Sequence, residues 1–521
     1  MSILHYFPYA KARLKQESSL SFIERAVAAG YHDIVIAAPT GTGKTGIGAS
    51  VCYWSRDLEI DGVPKGYYLT SQKLLQDQIT ADFDHMTVRS NASIKSASEY
   101  RCGTHSNCAV SGKHCRNSDC PYRKARDLWM SATLAVTNYS YFFTSAEHTD
   151  NIVKARVLVA DECHNLEREI TRHVDLVVSE DLFDKWAPSL FEVPKLNNLN
   201  EFVAWIESTY LPEIRERLVT LVQLAEESDG AATDAAELDR HVHKTENAIG
   251  LIRSNPSEWV FWSEKSQYGR SRYIARPIDA SSFFKGMIQD KASIRIYLSA
   301  YPGERGVFCR SLGLDENSVA WASYGSTFDV GNRPIISLRC GSMSMRNVDA
   351  SAPRLKAAVL RILGMHKDQK GIIHCHSYKM VELIRSSIAG TEHECRILTH
   401  KGADERNEVF EHHRTTSDPT VIITPSMFEG FDFKDDLARW QIIAKVPYPH
   451  LGDAQVAAKK ERDEEWYIQQ AVSSIVQASG RIVRSDDDWG VTYILDSDFQ
   501  QVYNRYEYMF PSWWKRALVL R

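Results

Sequence analysis

Short apolar segments recur along the chain and alternate with longer stretches of mixed polarity. Each segment has four to six residues, is rich in β-branched side chains, and is followed by small, polar or turn-forming residues. This pattern is typical of the buried strands of parallel α/β sheets. The segments predicted as strands are residues 33–38, 66–71, 133–137, 156–160, 294–299, 371–375, 420–424, 441–446 and 490–495.

The predicted strands fall into two groups along the chain. One group ends near residue 300, the other starts after residue 333, and the turn-rich segment 326–334 lies between them. Nine strands are too many for one compact doubly wound domain, so the pattern predicts two α/β lobes.

The stretch between the strands at 156–160 and 294–299 has a different pattern. Apolar residues recur there at steps of three and four, first over 202–225, where Pro212 interrupts the series, and then over 238–252. We interpret this stretch as a strand-poor helical insertion in the first lobe. Helices that simply cover the sheet are the alternative.

The composition favours a globular protein with large cores. The chain has 521 residues, of which 43% are hydrophobic and 10% aromatic, and this length predicts several structural units. No stretch approaches the roughly 18 unbroken apolar residues of a membrane span, so we expect a cytoplasmic, reducing location and no membrane partner. There, ten cysteines are not expected to form a disulfide framework, and a cluster of them calls for a metal or redox explanation.

The octamer APTGTGKT, residues 38–45, follows the first predicted strand and precedes a predicted helix. This setting is typical of a phosphate-binding loop, in which glycines let backbone N–H groups surround the phosphates of ATP. The lysine of such a loop contacts the β- and γ-phosphates, and the next hydroxyl ligates Mg²⁺. The residues predicted to bind the nucleotide are Thr40, Gly41, Thr42, Gly43, Lys44 and Thr45.

Two further segments carry groups that nucleotide hydrolysis needs. In VLVADECHN, Asp161 ends an apolar strand, where it can ligate Mg²⁺, and Glu162 is the candidate general base for the attacking water. In QASGRIVR, Gln477, Arg481 and Arg484 are predicted on one helical face, and the arginines can neutralise charge on the γ-phosphoryl group. A surface ion-pair element is the alternative for the arginines. With Lys44, these five residues are the predicted catalytic set.

The order of these segments resembles motifs I, II and VI of superfamily 2 helicases, with the DECH box at 161–164 as motif II. Four cysteines between the first two motifs narrow the resemblance to the iron–sulfur helicases of the XPD/DinG family. Other segments are similar to family motifs: 7–16 (nucleotide entry), 68–78 (motif Ia), 120–126 (exit from the cluster), 424–433 (motif V), 445–449 and 493–499. Only the insertion at 171–275 lacks recognisable motifs.

The resemblance implies roles for further residues. Arg13 and Gln16 would lie on the adenine side of the nucleotide, and the two motif VI arginines would be arginine fingers. Three motif V residues would couple the nucleotide state to contacts with the nucleic acid strand: Glu429, Gly430 and Asp432.

The chain departs from the family pattern in two places. Cys163 replaces the usual alanine of the motif II box, which exchanges one small residue for another. The segment SAYPG at 299–303 is a loose version of motif III, so the pattern predicts coupling through Ser299 less firmly than through the other motifs.

Four of the cysteines lie close together in the sequence, at Cys102, Cys108, Cys115 and Cys120. Their spacing is C-x5-C-x6-C-x4-C, without the CxxC pairs of zinc knuckles and ribbons. Spacing alone leaves zinc and an iron–sulfur cluster open, because both accept four thiolates. The family resemblance favours a [4Fe–4S] cluster.

The same segment is basic although the protein is acidic overall. The net charge is −5, yet residues 101–126 contain six Lys or Arg and one acid. A loop stapled by the cysteines would hold these side chains beside a phosphate backbone. Tyr100 and Tyr122 would stack on bases or wedge at a duplex junction, with packing inside the loop as the alternative.

The resemblance implies two RecA-like parallel-sheet lobes with both insertions in the first lobe. Lobe 1 would comprise residues 1–95, 129–170 and 276–325, and lobe 2 would comprise residues 326–521. The iron–sulfur domain would span 96–128 and a helical arch-like domain, short for the family, would span 171–275. We also expect that no exonuclease domain precedes the nucleotide-entry motif.

The implied activity is ATP-dependent translocation on single-stranded DNA in the 5′→3′ direction. The implied substrates are duplexes, flaps, bubbles, R-loops and other junctions, with RNA–DNA hybrids as a further class. A monomeric motor is expected, with a protein partner that guides substrate choice. Two alternatives stay open: an ATP-driven remodeller of protein–DNA or RNA–DNA complexes with weak unwinding, and a non-catalytic DNA-binding component clamped by ATP.

Overall fold

The computed structural model describes residues 1–71, 73–83, 90–102, 108, 119–190, 194–225, 228–266, 269–425, 433, 435–485 and 487–521. Within these residues, two seven-stranded parallel sheets form the centres of two lobes. This confirms the predicted α/β class. Each segment predicted as a strand is a strand in the structure, and its ends differ from the prediction by at most three residues. None of the described helices has a stretch long and apolar enough to cross a bilayer.

The chain builds the sheet of the first lobe in two passes. The first pass supplies β1 (Asp33–Ala37), β2 (Val63–Thr70), β3 (Asn91–Ser93), β4 (Leu134–Asn138) and β5 (Ala155–Asp161). An insertion then contributes β6 (Leu176–Ser179), β7 (Trp259–Lys265) and β8 (Ser271–Pro277) to a separate sheet. The second pass adds β9 (Ala292–Ser299) and β10 (Val319–Ser323). The order across the first sheet is β10-β1-β9-β5-β2-β4-β3, with parallel neighbours throughout.

Side chains alternate between two cores along these strands. Tyr67 and Leu158 belong to one core, whereas Tyr68 and Val159 belong to the other. Burial on both faces explains why the strand segments are continuously apolar in the sequence. The helices of this lobe are α1 (Leu14–Ala28), α2 (Lys44–Trp54), α3 (Lys73–Phe83), α4 (Pro121–Ser131), α5 (Tyr139–His148) and α6 (Leu166–Val174), followed after the insertion by α11 (Ser281–Met287) and α12 (Arg305–Leu312).

The insertion contains helices, as predicted, but the expectation that it is poor in strands was wrong. Its helices are α7 (Glu180–Trp186), α8 (Leu199–Trp205), α9 (Leu211–Leu224) and α10 (Asp229–Ser254). Strands β6, β8 and β7 form an antiparallel three-stranded sheet beside them. The sheet escaped prediction because β7 and much of β8 are only partly buried, so their apolar runs are short.

Pro212 does not interrupt the helical path as the sequence suggested. A π-helical stretch, Ile206–Tyr210, joins α8 to α9, and Pro212 lies in the first turn of α9. A proline lacks the N–H that would continue the helical hydrogen bonds and crowds the preceding turn, and a wider π-helical turn lies directly before it. The chain therefore stays helical from Leu199 to Leu224.

The second lobe repeats the parallel architecture. Its strands are β11 (Ile335–Ser337), β12 (Gly371–His374), β13 (Ile397–Leu398), β14 (Val421–Thr424), β15 (Trp440–Ile443), β16 (Val491–Ile494) and β17 (Leu518–Leu520), in the order β13-β14-β12-β15-β16-β11-β17. Its helices are α13 (Val348–Met365), α14 (Tyr378–Ile388), α15 (Ala403–Thr415), α16 (Ala454–Arg462), α17 (Glu464–Ser479), α18 (Asp498–Tyr506) and α19 (Ser512–Lys515).

Helices α16 and α17 of the second lobe dock on the first lobe through a group of polar contacts. Lys459 forms an ion pair with Glu167, whose other oxygen accepts a hydrogen bond of 2.9 Å from Trp466 Nε1. Arg310 pairs with Asp463 at 2.9 Å. We call Glu167, Arg310, Lys459, Asp463 and Trp466 the cross-lobe seam. It ties the helix after the DECH box to the helix that leads into QASGRIVR.

Candidate nucleotide-binding cleft

The register of the first sheet brings three predicted motifs to one edge. Strand β9 lies between β1 and β5, with Ala37 paired to Ser299 on one side and Asp161 paired to Leu298 on the other. The phosphate-binding loop, the DECH box and the start of SAYPG therefore leave the sheet side by side. This is the carboxyl edge of parallel strands, where α/β proteins bind ligands.

The loop between β1 and α2 has the geometry of an anion site. Gly41 and Gly43 have φ values of 83° and 79°, in the left-handed region that favours glycine. Gly43 caps α2, which begins at Lys44, so the unpaired N–H groups of an eleven-residue helix face the loop. The loop is fixed internally by Thr42 Oγ1, which donates to the Pro39 carbonyl at 2.6 Å.

Arg13 and Gln16 both contact the outer side of this loop. Arg13 Nη1 donates to the Gly41 carbonyl at 2.8 Å, and Gln16 Nε2 donates to the Gly43 carbonyl at 3.2 Å. Gln16 also accepts a 2.9 Å hydrogen bond from the Arg13 backbone N–H. The start of α1 is thereby docked on the phosphate-binding loop.

The two acidic residues of the DECH box have different environments. Asp161 is 7% exposed, and its Oδ1 accepts the Glu162 backbone N–H at 2.9 Å. Glu162 keeps 32% of its side chain exposed to the cleft and has a φ of 50°, in the left-handed region that a glutamate rarely adopts. Such backbone strain clusters at functional sites.

The charges and burial around the two carboxylates shift their pKa values in opposite directions. Burial and the adjacent Glu162 carboxylate raise the pKa of Asp161, and Lys44 only partly offsets them. Burial also acts to raise the pKa of Glu162, but Lys44, His164 and Arg481 outweigh it and hold that pKa below its usual range. Glu162 is therefore ionised, and its carboxylate can accept a hydrogen bond from a water molecule and orient it.

Ser299 lies within reach of the DECH box despite the loose match of SAYPG to motif III. His164 Nδ1 is 2.9 Å from Ser299 Oγ and 3.3 Å from Glu162 Oε2. The structure thus connects Glu162, His164 and Ser299 in one chain of contacts. Cys163 is fully buried beside them, and burial raises the pKa of its thiol, so it packs as a small apolar residue.

The prediction that Gln477, Arg481 and Arg484 share a helical face was wrong. Gln477 lies in the last turn of α17, but the helix ends at Ser479 and Gly480 follows it as the cap, so both arginines lie in the turn beyond. Arg481 is one of the cations that lower the pKa of Glu162. The Arg484 carbonyl lies 3.4 Å from the Cβ position of Gly41. Lobe 2 therefore reaches the phosphate-binding loop.

Asp488 fixes the turn that carries the arginines. Its side chain is 0% exposed and pairs with Arg439 at 2.7 Å. Its Oδ2 accepts the backbone N–H of Arg484 at 3.0 Å and that of Asp435 at 3.3 Å. The carboxylate thus holds the motif VI turn against the end of the motif V segment.

Phe328, in the segment that joins the lobes, packs on the tip of the phosphate-binding loop. A Cβ on Gly41 would lie 2.6 Å from Phe328 Cζ, so only glycine fits at that position. The ring also packs against the core that contains Ile482 and Val483. Three of the predicted nucleotide-coupling residues lie outside the described residues: Glu429, Gly430 and Asp432.

Two of the four clustered cysteines lie side by side. Cys108 Sγ is 3.8 Å from Cys120 Sγ, and both Cys120 and Cys102 act to raise the pKa of the Cys108 thiol, together with burial. Cys115 is outside the described residues, and within those residues no group of three or more metal-binding side chains is assembled. The thiol-only donor set fits zinc and an iron–sulfur cluster equally.

The helix that follows the cysteines is anchored in the first lobe by a buried lysine. Lys65 in β2 donates to the carbonyls of Trp129 and Met130 at the end of α4, each at 2.8 Å, and its Nζ lies 4.7 Å from the Trp129 ring centre. Tyr100 and Tyr122 form an edge-to-face pair at 5.7 Å, and Tyr122 contacts the Tyr141 hydroxyl. Both rings therefore have protein contacts, and both stay partly exposed.

Two protein-family models match the chain. The model described as the helicase C-terminal domain matches residues 360–517, and the model described as the res subunit of type III restriction enzymes matches residues 10–186. A solved XPD helicase has the same fold with a TM-score of 0.68 at 16% identity, over 98% of this chain and 100% of that one.

The ATP-dependent DNA helicase YoaA of Haemophilus influenzae is 23% identical to this chain over 441 residues, or 74% of this chain and 67% of that protein. This similarity extends across both lobes. The chain belongs to the XPD/DinG family of superfamily 2 helicases.

Other XPD/DinG-type relatives align over shorter stretches. The regulator of telomere elongation helicase 1 homolog of Aedes aegypti is 28% identical over 139 residues. That alignment covers 23% of this chain but spans 14% of the length of the mosquito protein.

Three residues of this XPD/DinG-family cleft were missed by sequence reasoning. Asp488 lies in a run of acidic residues that has the composition of a solvated turn, and Tyr68 is one of many apolar strand residues. Phe328 lies in a turn-rich link, where a lone aromatic residue among polar neighbours was an available signal.

Proposed function

We propose that this chain is an ATP-dependent DNA helicase that translocates along single-stranded DNA and unwinds duplex, flap, bubble or R-loop substrates. The observation that carries the proposal is the shared cleft. The lobe 2 turn with Arg481 and Arg484 lies against the phosphate-binding loop, where the Arg484 carbonyl is 3.4 Å from the Cβ position of Gly41, and Arg481 acts with Lys44 to lower the pKa of Glu162. A nucleotide held there would contact both lobes at once, so its hydrolysis would change how they fit together.

The residues of the cleft suit hydrolysis of a nucleoside triphosphate. Lys44 and the N–H groups at the start of α2 would bind the phosphates. Thr45 and Asp161 offer the oxygen donors that Mg²⁺ prefers, and the bound ion would neutralise phosphate charge. Glu162 would orient the attacking water. Arg481 and Arg484 would stabilise charge on the γ-phosphoryl group in the transition state.

Arg13, Gln16 and the motif V residues have roles by family resemblance. Arg13 and Gln16 would lie on the adenine side of ATP, which agrees with their contacts on the outer side of the phosphate-binding loop. The motif V residues Glu429, Gly430 and Asp432 would link the nucleotide to the DNA strand. Gln477, in the last turn of α17, would complete the lobe 2 side of the site.

DNA is the proposed partner because the relatives that align with this chain include DNA helicases by name. The 5′→3′ direction follows from the family resemblance. RNA–DNA hybrids are a further substrate class. The motor would act as a monomer, and a protein partner would guide its choice of substrate.

Replacement of Lys44 tests the motor. The Lys44→Ala variant is expected to lose DNA-stimulated ATP hydrolysis and strand separation while it still binds single-stranded DNA, because the substitution removes a phosphate contact and leaves the DNA surface intact. Lys154→Ala is the matched control, since Lys154 lies before β5, at the opposite edge of the sheet, and pairs with Asp61 on the surface.

Three outcomes would revise the proposal. Unwinding by Lys44→Ala would remove the motor assignment. Protein displacement by the wild-type chain without strand separation would favour a remodeller. Absence of DNA-stimulated phosphate release from the wild-type chain would favour a DNA-binding component clamped by ATP.

We also propose that Cys102, Cys108, Cys115 and Cys120 hold a [4Fe–4S] cluster. The support is the thiol-only donor set, the family resemblance and the 3.8 Å distance between the Cys108 and Cys120 sulfur atoms. When bound, the cluster would hold the basic segment in one conformation and would take no part in ATP hydrolysis.

Metal analysis of anaerobically purified protein tests the cluster. Iron and acid-labile sulfide are expected in the wild type and in Cys395→Ser, whose target is an exposed cysteine in lobe 2. In Cys102→Ser the brown colour should be lost, and unwinding should fall more than ATP hydrolysis. Stoichiometric zinc without iron would overturn the cluster assignment.

A further inference from the structure

Tyr68 lies between the phosphate-binding loop and the DECH box, in the core of the first lobe. Its hydroxyl donates a 2.9 Å hydrogen bond to Asp161 Oδ2, and the Thr45 side chain lies close enough to interact with the same phenol. The residue is 0% exposed. A single buried phenol therefore touches the two side chains that the proposed function assigns to Mg²⁺.

We propose that Tyr68 is a positioning residue that sets the orientation of Thr45 and Asp161 toward a divalent cation. The inference rests on the proposed ATP site, because it names what holds that site's metal donors in place. It concerns only the chain's own residues. Tyr68 does not reach the nucleotide or the metal itself.

The surroundings of the ring leave it little freedom. A Cβ on Gly48 would lie 2.5 Å from Tyr68 Cε2, 3.0 Å from Val159 Cγ1 and 3.2 Å from Leu298 Cδ1. Helix α2 thus packs directly on the tyrosine, and a larger residue at position 48 would displace it. Because the ring is enclosed by α2, β5 and β9, its hydroxyl has a fixed position relative to both motifs.

Asp161 is held at three points. Tyr68 donates to Oδ2, the Glu162 backbone N–H donates to Oδ1, and the Tyr139 hydroxyl donates to the Asp161 carbonyl at 2.7 Å. Each carboxylate oxygen retains a lone pair for another ligand. In the contact with Oδ2, the Tyr68 hydroxyl is the donor.

Loss of this hydroxyl would leave the site assembled but badly oriented. The carboxylate would lose its Oδ2 donor, and the Thr45 hydroxyl would lose a polar neighbour. Partners of metal ligands typically contribute about 10- to 100-fold in metal affinity. The ring itself would still fill the space under Gly48.

The test is metal binding to the isosteric variant Tyr68→Phe. Mn²⁺ replaces Mg²⁺ as an electron paramagnetic resonance probe, and its affinity is measured with a non-hydrolysable ATP analogue bound. We expect about 10- to 100-fold weaker Mn²⁺ binding, with unchanged affinity for the analogue in EDTA. Saturating Mg²⁺ should restore most of the ATP hydrolysis rate.

Tyr67→Phe is the matched control. Tyr67 is the preceding residue of β2 and is also fully buried, but it lies in the other core, and its hydroxyl donates to the Val153 carbonyl at 3.1 Å. Its loss removes a buried hydroxyl from the same strand without touching Thr45 or Asp161. Mn²⁺ affinity should therefore stay at the wild-type value.

Different results would overturn the inference about Tyr68 and the proposed function. Wild-type Mn²⁺ affinity in Tyr68→Phe, or an equal loss in Tyr67→Phe, would overturn the inference alone. Failure of the wild-type chain to bind Mn²⁺ with the analogue would overturn the proposed ATP site.

A second measurement covers the case in which Tyr68→Phe does not fold. 3-Fluorotyrosine at position 68 keeps the hydroxyl, and its ¹⁹F resonance should shift when Mg²⁺ is added to the analogue complex. The same label at position 67 should shift much less. Equal responses at both positions would overturn the inference.

Discussion

The two sides of the proposed cleft are built differently. On the lobe 1 side, the phosphate-binding loop and the DECH box leave β1 and β5, the strands on either side of β9, at the same edge of the sheet, and buried hydrogen bonds from Tyr68 and Tyr139 fix Asp161. On the lobe 2 side, Arg481 and Arg484 lie in a turn after a helix, and a single buried carboxylate, Asp488, holds that turn.

We interpret this difference as a division of roles, in which lobe 1 supplies the chemical groups and the position of lobe 2 controls hydrolysis. A group fixed by a sheet keeps its position whether or not the other lobe is near, whereas groups on a turn depend on where their lobe lies. The cross-lobe seam connects the two, because α6 follows the DECH box and α17 leads to the arginine turn. Lobe 1 substitutions should therefore remove a chemical function, and lobe 2 substitutions should misplace one.

The largest expected effect comes from the lobe 1 side. Glu162→Gln keeps the size of the side chain but removes its charge, so the kcat of ATP hydrolysis should fall by about 10²- to 10⁴-fold. ATP affinity should be retained, because Lys44 and the start of α2 still bind the phosphates. Single-turnover hydrolysis together with equilibrium binding of a fluorescent ATP analogue measures both quantities.

Glu392→Gln serves as the control for lost charge, since Glu392 is 87% exposed on lobe 2. Its kcat should equal that of the wild type. If Glu162→Gln weakened binding as much as hydrolysis, Glu162 would be a binding group, and the chemical role given to the lobe 1 side would be wrong.

The cross-lobe seam should have an intermediate effect. Lys459 and Glu167 form a buried pair, and burial lowers the pKa of Lys459 well below its usual value. Lys459→Met leaves the Glu167 carboxylate without this cation, which should destabilise the protein by about 3 kcal/mol. The double variant with Glu167→Gln should recover part of the loss, because no unpaired buried charge remains. Calorimetric unfolding compares the wild type, Lys459→Met and the double variant.

Lys356→Met controls for the substitution itself, because Lys356 is exposed on α13. It should unfold at the wild-type temperature. Equal destabilisation of the single and double seam variants would show that the pair contributes through packing rather than charge, and would weaken the view that the seam holds the lobes in register.

The sequence predicted the lobe 1 side well for a physical reason. Few residue types can bind phosphate and metal ions, so APTGTGKT and DECH can be recognised from the sequence alone. Both follow strands that are apolar because they are buried on both faces. The contact between His164 and Ser299 could not be predicted, because it depends on the register of β9 beside β5.

The lobe 2 side was predicted less well because its geometry depends on tertiary contacts. QASGRIVR suggested a continuous helix, although Gly480 was an available stop signal, since glycine commonly follows the end of a helix. Asp488 has the sequence context of a solvated turn. Only its burial against Arg439 and the Arg484 backbone gives it a role.

Asp488 gives the smallest expected effect and the most direct test of the lobe 2 side. Asp488→Asn keeps the shape of the side chain but weakens the ion pair with Arg439 and the hydrogen bond from the Arg484 N–H. The arginine turn should shift without loss of either arginine, and such a displacement should lower kcat by about 10- to 100-fold. Because lobe 1 is untouched, binding of ATP in the absence of DNA should remain at the wild-type level.

Asp487→Asn is the matched control, since Asp487 is exposed and adjacent in sequence. It removes the same charge from the same turn, so an equal loss of kcat would mean that the charge of the turn matters and not its anchoring. If Asp488→Asn lowered kcat as much as Glu162→Gln does, hydrolysis would depend on the lobe 2 turn as strongly as on the lobe 1 carboxylate. The two sides of the cleft would then differ in architecture but not in function.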